Sequence, residues 1–108
     1  MILEGYAAAI NARDPEQMAS LFAPECYFSA GGGRSQGAPD VVCRTRQEVL
    51  EHFTRTMANH EMRAEVLRVN PASMEYDIVI GGSHVNPCIG TVTIDGDGLI
   101  AELIVRPR

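Results

Sequence analysis

RAEVLRV (Arg63 to Val69), MEYDIVI (Met74 to Ile80), VNPCIGTVTI (Val85 to Ile94) and LIAELIV (Leu99 to Val105) follow one another in the second half of the chain. In them apolar and polar residues trade places with a period near two, the pattern of a strand with one buried face. Asn70-Pro71, Gly81-Gly82 and Asp95-Gly96-Asp97-Gly98 separate them. These are turn sequences, because Pro fixes φ and Gly tolerates φ > 0. The connections are too short for crossover helices, so the four strands should form an antiparallel meander.

Upstream of Asn59 the period is helical. Ile2, Leu3, Tyr6, Ala7 and Ile10 share one face of a first helix. Asp14-Pro15-Glu16-Gln17 restarts a second, with Asp14 as cap, Pro15 at the first helical position and Gln17 as the capping-box partner. Met18, Leu21 and Phe22 give it an apolar side, and Pro24 lies just past its end. Cys26 to Ser29 reads as a short strand, and the glycine-rich stretch from Gly31 to Asp40 as a loop. Thr45-Arg46-Gln47-Glu48 is a second capping box, opening a helix with Val49, Leu50, Phe53 and Met57 on one side. No linker or repeat divides residues 1–108, which are expected to form one domain. The order implies an α+β fold, a curved and mostly antiparallel sheet wrapped around three N-terminal helices to leave a central pocket.

The composition narrows the partners. The 108 residues are 45% hydrophobic and 21% charged, with 9 Lys plus Arg against 14 Asp plus Glu and a net charge of −5. Phosphate binding needs a clustered basic surface, so nucleic acid is not an expected partner. Cys26, Cys43 and Cys88 are odd in number and form no CxxC pair, which fits a reducing cytoplasm. The first residues lack the basic start of a signal peptide and reach Asn11, Arg13 and Asp14 too soon for a membrane span.

Tyr6-Ala-Ala-Ala-Ile-Asn-Ala-Arg-Asp14, followed by Met18-Ala-Ser-Leu-Phe-Ala-Pro24, resembles the opening of ketosteroid isomerase and SnoaL-type polyketide cyclases. These are members of the nuclear transport factor 2-like superfamily. Arg46 to Phe53 is similar to that family's third helix, and Thr91 to Ile100 to its last hairpin. The resemblance covers most of the chain and implies a cone-shaped α+β barrel holding a small molecule. It is specific for fold and not for activity, because isomerases, dehydratases, cyclases, epoxide hydrolases and non-catalytic binders share the architecture. It makes Tyr6 a hydrogen-bond donor to a developing enolate oxygen. The isomerase's proton-shuttling Asp would fall near Ala30 and its second acid near Gly90, and neither is acidic here. Proton abstraction would therefore need another base.

His84 is the first candidate, since strand alternation from Val92 and Ile94 puts Gly90, Cys88, Asn86 and His84 on one face. Pro87 could mark a bulge that reverses this facing, and a histidine beside a turn is often half-exposed. Asp77 is the second candidate, paired with Glu75 as the acids of an epoxide hydrolase would be. The competing reading places both acids on a solvated convex face. Met18, Phe22, Tyr27, Phe53, Asn86, Cys88, Leu103 and Val105 are the expected pocket lining, and Arg44 and Arg46 could meet an anion at its rim. Gly33-Arg34-Ser35-Gln36-Gly37 matches a nucleophile elbow without the required strand and helix around it. His60-Glu61 lacks the second histidine of a zinc site, and the Asp95 loop has Arg106 where calcium needs a Glu, so neither metal nor cofactor is expected.

Two functions remain open. One is an isomerase, lyase or hydrolase acting on a hydrophobic oxygenated substrate; the other is a non-catalytic ligand-binding or homodimerisation module. A buried His or carboxylate near Tyr6 would favour the enzyme. A homodimer is expected through the convex face, with Val79, Ile89 and Ile104 projecting there. Tyr6→Phe is expected to weaken ligand binding by about 1 kcal/mol or more with stability nearly unchanged.

Overall fold

The computed structural model describes residues 2–31 and 40–108. The nucleophile-elbow match at 33–37 lies outside them. Helices α1 (Ile2–Ala12) and α2 (Pro15–Ser20) lead into strand β1 (Phe22–Ala30). Then come β2 (Val41–Thr45), α3 (Arg46–Asn59), β3 (Met62–Val69), β4 (Ser73–Ile80), β5 (His84–Ile94) and β6 (Ile100–Pro107). The six strands form one sheet in the order β2-β1-β6-β5-β4-β3. All neighbours are antiparallel except β1 and β6. This is the α+β cone anticipated from the sequence, and the meander of β3 to β6 is intact.

The caps work largely as the residues imply. The Gln17 amide donates to Asp14 Oδ1 at 3.0 Å, and the Glu48 amide to Thr45 Oγ1 at 3.1 Å. Glu48 Oε1 reaches back to the Arg44 amide at 2.6 Å, one residue earlier than a capping box predicts. Helix α1 ends on Arg13 with φ of 53°, a left-handed conformation that a side chain resists. Its guanidinium donates to the Met57 carbonyl near the end of α3, which holds this corner closed.

Three readings need correction. The second helix stops at Ser20, so Phe22 starts β1 and is not part of the helix's apolar side. Pro24 lies inside that strand, where the ladder to β6 is irregular and the ladder to β2 has not yet begun, so a missing amide is tolerated. Residues 41–45 form β2, an edge strand that went unrecognised. Val79 points away from the helices but is buried, so it is not an exposed residue of the convex face; Ile89 and Ile104 are half-buried.

The interior is apolar and filled, so the central pocket expected from the sequence does not stand open among the described residues. Met18, Phe22 and Leu103 have no exposed surface, and Phe53, Cys88 and Val105 join them in one cluster. Ring packing of Phe28 against Phe22 and Phe53, with centroids 6.0 and 5.5 Å apart, ties β1 to α3. No helix among the described residues is long and apolar enough to cross a membrane.

Candidate functional site

Tyr6 lies on the buried side of α1, one turn from Leu3 and Ile10, and so points at the sheet. Opposite it, alternation along β4 turns Met74, Tyr76 and Ile78 inward. The two phenol oxygens stand 3.1 Å apart, with the rings edge to face at a centroid distance of 5.9 Å. Both residues are buried, Tyr6 at 4% exposure and Tyr76 at 0%. Burial pushes both hydroxyls well above the ordinary phenol range, and the thiol of Cys88 adds to the effect. Both therefore stay protonated. In such a pair one phenol donates and the other accepts, and the acceptor's own hydrogen is left over for a third oxygen.

Tyr76 lies over Gly90, where a methyl group would make ordinary contact and a longer side chain would meet the ring. A Cβ at Gly90 would stand 3.5 Å from Tyr76 Cε1 and 3.6 Å from Leu103 Cδ1. This is the position at which the resemblance puts a second acid, and the Tyr76 ring covers it. Cys88 pairs directly with Tyr76 in the β4–β5 ladder and donates its thiol to the Asn86 carbonyl at 3.4 Å. Burial raises its pKa, so the thiol is unreactive.

No acid enters this interior. Every Asp, Glu and His of the chain lies among the described residues, and none of them is buried. Ala30, where the resemblance puts the isomerase base, is a partly buried end of β1 paired with Val41 and Val105. His84 opens β5 just beyond Gly81 and Gly82, both with positive φ, and is exposed. It lies four strand positions from Cys88, roughly 13 Å, so it is not brought to the phenols. Asp77 faces the convex side, where its carboxylate accepts from Arg108 at 3.0 Å. Arg108 also donates to the carbonyls of Tyr76 and Cys88, stitching β4 to β5 beside Pro87, which has no amide to give.

The remaining lining splits. Met18, Phe22, Phe53, Cys88, Leu103 and Val105 belong to the buried core cluster. Asn86 is half-buried near the open end of β5. Tyr27 sits opposite the exposed Glu102, with the Arg44 guanidinium 5.3 Å from its ring centre, outside the interior. Arg46 is engaged with the Phe22 carbonyl at 2.9 Å.

Two residues were missed. Tyr76 reads from sequence as one apolar member of an alternating strand; a buried hydroxyl's need for a partner was the available signal. His52, on α3, is half-buried against Phe28 and Phe53, with ring centroids 6.0 and 4.9 Å away. Burial, aided by the nearby Arg55, lowers its pKa and keeps it neutral. It lines a cavity of about 300 Å³ with Val41, Cys43, Glu48, Glu51 and Arg55.

Residues 3–103 match the model of the SnoaL-like domain, and the chain belongs to that family. Solved structures agree over almost its whole length. One is a provisionally assigned polyketide cyclase from Sinorhizobium meliloti, 18% identical, with a TM-score of 0.76 over 97% of this chain and 93% of that one. A provisionally assigned ketosteroid isomerase from Kribbella flavida is 16% identical, with a TM-score of 0.72 over 96% of this chain and 73% of its own. A protein with a ketosteroid isomerase-like fold from Catenulispora acidiphila, solved with trimethylamine, is 18% identical, with a TM-score of 0.73 over 97% and 83%. No curated protein matches the chain in sequence. At these identities the neighbours establish the fold, and activity has to be argued from the residues.

Proposed function

We propose that residues 1–108 act as one small-molecule-binding domain that holds a hydrophobic oxygenated ligand without transforming it. The observation that carries this is the Tyr6–Tyr76 pair, 3.1 Å apart, in an interior with no buried carboxylate or histidine; His52 is half-buried and lines a separate cavity beside β2. Because the interior is filled, a ligand enters only by displacing side chains; its carbonyl or hydroxyl then takes the spare phenolic hydrogen, and apolar side chains such as Met18, Phe22 and Leu103 repack around the rest. Proton abstraction next to a carbonyl needs a base within about 3 Å of the hydrogen it removes. The interior supplies donors and no such base, which favours a carrier or sensor over an isomerase, lyase or hydrolase. That a structural neighbour holds trimethylamine supports small-molecule binding by this fold.

The test uses a series of apolar cyclic ketones as probes. Binding would be followed by tyrosine fluorescence, and exchange of the hydrogens next to the carbonyl by NMR in deuterium oxide. Binding with exchange no faster than in buffer is the expected result. Accelerated exchange that disappears in Tyr6→Phe would overturn the non-catalytic reading in favour of the enzyme.

The domain is further proposed to work as a homodimer through the convex sheet face, where Ile89 and Ile104 are half-exposed and Val42 is 45% exposed. A stable pairing there should bury about 1,200 Å² or more in total. Light scattering at tens of micromolar protein would show the dimer mass, and a monomer would count against it.

A further inference from the structure

Strand β3 forms one margin of the sheet, so its outward backbone groups have no neighbouring strand. One residue there is served in another way. The Ala64 amide donates to Asn11 Oδ1 at 2.8 Å, and Asn11 Nδ2 donates to the Ala64 carbonyl at 3.1 Å. A side-chain amide from α1 thus occupies both groups that an added strand would need. Beyond Ala64 the margin is open and apolar: Val66 is 43%, Leu67 57% and Val69 38% exposed.

The phase of the ladder follows from these contacts. Ala64 turns its amide and carbonyl away from β4, so Val66, two residues on, does the same. The register shift between Val66 and Arg68 leaves Leu67 as an extra residue. Past it, the Asn70 amide reaches the Ser73 carbonyl at 2.8 Å, so the backbone groups of Val69 face outward again. Glu65 and Arg68 share the convex face, because they pair with Asp77 and Glu75 on β4.

The segment from Ala64 to Val69 is therefore complementary to itself. Laid antiparallel about a two-fold axis, Ala64 meets Val69 of a second copy and Glu65 meets Arg68, each twice over, while the bulges at Leu67 face each other across the axis. Opposite charges directly across a strand pair stabilise it, and Arg68 of the second copy would join Arg63, which already pairs with Glu65 in its own strand. This register requires the two groups of Ala64 that Asn11 holds.

We infer that Asn11 is a guard: its clasp on Ala64 keeps closed a self-complementary strand-addition surface on β3, and the occupant once the clasp is lost is β3 of a second copy of this chain. The guard is independent of the interior site and of pairing through the convex face, since it concerns only the sheet margin.

The experiment compares the full chain with Asn11→Ala by light scattering across a concentration series, with circular dichroism confirming the fold. The mass of Asn11→Ala should rise to at least twice the parent's at the same concentration. Adding Glu65→Arg, which sets Arg against Arg68, should return the mass to the parent's value. Combining it with Arg68→Glu should restore the association. A folded Asn11→Ala with the parent's mass throughout overturns the inference, and so does an association that Glu65→Arg leaves intact. If Asn11→Ala fails to fold, Asn11→Asp keeps the acceptor for the Ala64 amide while losing the donor to its carbonyl. It is then read by the same criteria, with a smaller rise in mass expected.

Discussion

Replacing Tyr6 by Phe removes one oxygen and leaves the ring packed edge to face against Tyr76. Read from the sequence alone, that change should hardly touch stability. The structure gives a different expectation, because Tyr76 Oη is fully buried and its partner is the atom removed. Leaving a buried hydroxyl unsatisfied costs about 1–3 kcal/mol, whereas removing both partners of a buried pair is close to neutral. Tyr6→Phe and Tyr76→Phe should therefore each destabilise by about 2 kcal/mol. For a domain of this size that corresponds to a fall of roughly 10 °C in Tm. The double variant should lose far less than the two single losses together, giving a coupling of more than about 1 kcal/mol. Urea denaturation of the four proteins measures it, with equal slopes confirming that one folded state is being compared. Additive losses would mean that the phenols do not interact, and the proposed site would lose its central feature.

The same pair dominates the alkaline limb of the stability curve. Folded-state pKa values raised by burial make stability complete below the unfolded value and progressively lost above it. The decline should begin near pH 9 with the three cysteines, Cys43 being pushed up to about 11 mainly by burial, and steepen past pH 10 with the tyrosines. The two tyrosines together contribute a slope of about 2.7 kcal/mol per pH unit, which the double Phe variant should lack in equilibrium unfolding across that range. His52 works in the opposite direction: its lowered pKa means stability present above about pH 6.5 and lost as pH falls below it, and His52→Gln should flatten that limb. Arg108→Lys keeps the charge but not the planar fork that reaches Tyr76, Cys88 and Asp77, and should cost about 1 kcal/mol in the same denaturation assay.

Fold and site were legible to different depths. The strand meander is visible because its turns are local and its alternation is long; the caps at Asp14 and Thr45 are visible because they involve neighbours three residues away. Strand β2 escaped because Val41, Val42 and Cys43 give no clear two-residue alternation and run directly into a capping box. The start of β1 escaped because Leu21 and Phe22 fit a helical stripe as well as a strand, and only packing against β6 decides between them. Tyr6 is legible from its helical face and from the family resemblance. Its partner is not, since the two phenols are 70 positions apart in the chain and no local rule joins them. Alternation correctly turned Cys88 inward, yet the same rule carried to His84 runs past the cover of the helices.

Both margins of the sheet are held by side chains of helices, β3 by Asn11 and β2 by Glu48, which accepts the Arg44 amide. The strands between them are joined by ordinary ladders interrupted at several bulges. The result resembles a bent leaf spring clamped at its two long edges. A guest larger than the side chains now filling the interior must flatten the leaf or lift a helix, and either motion pulls on the clamps. Ligand size would then be felt as strain at Asn11 and Glu48, at the edges of the sheet and not at the phenols proposed to recognise its oxygen. Hydrogen exchange at the Ala64 and Arg44 amides reads that strain directly.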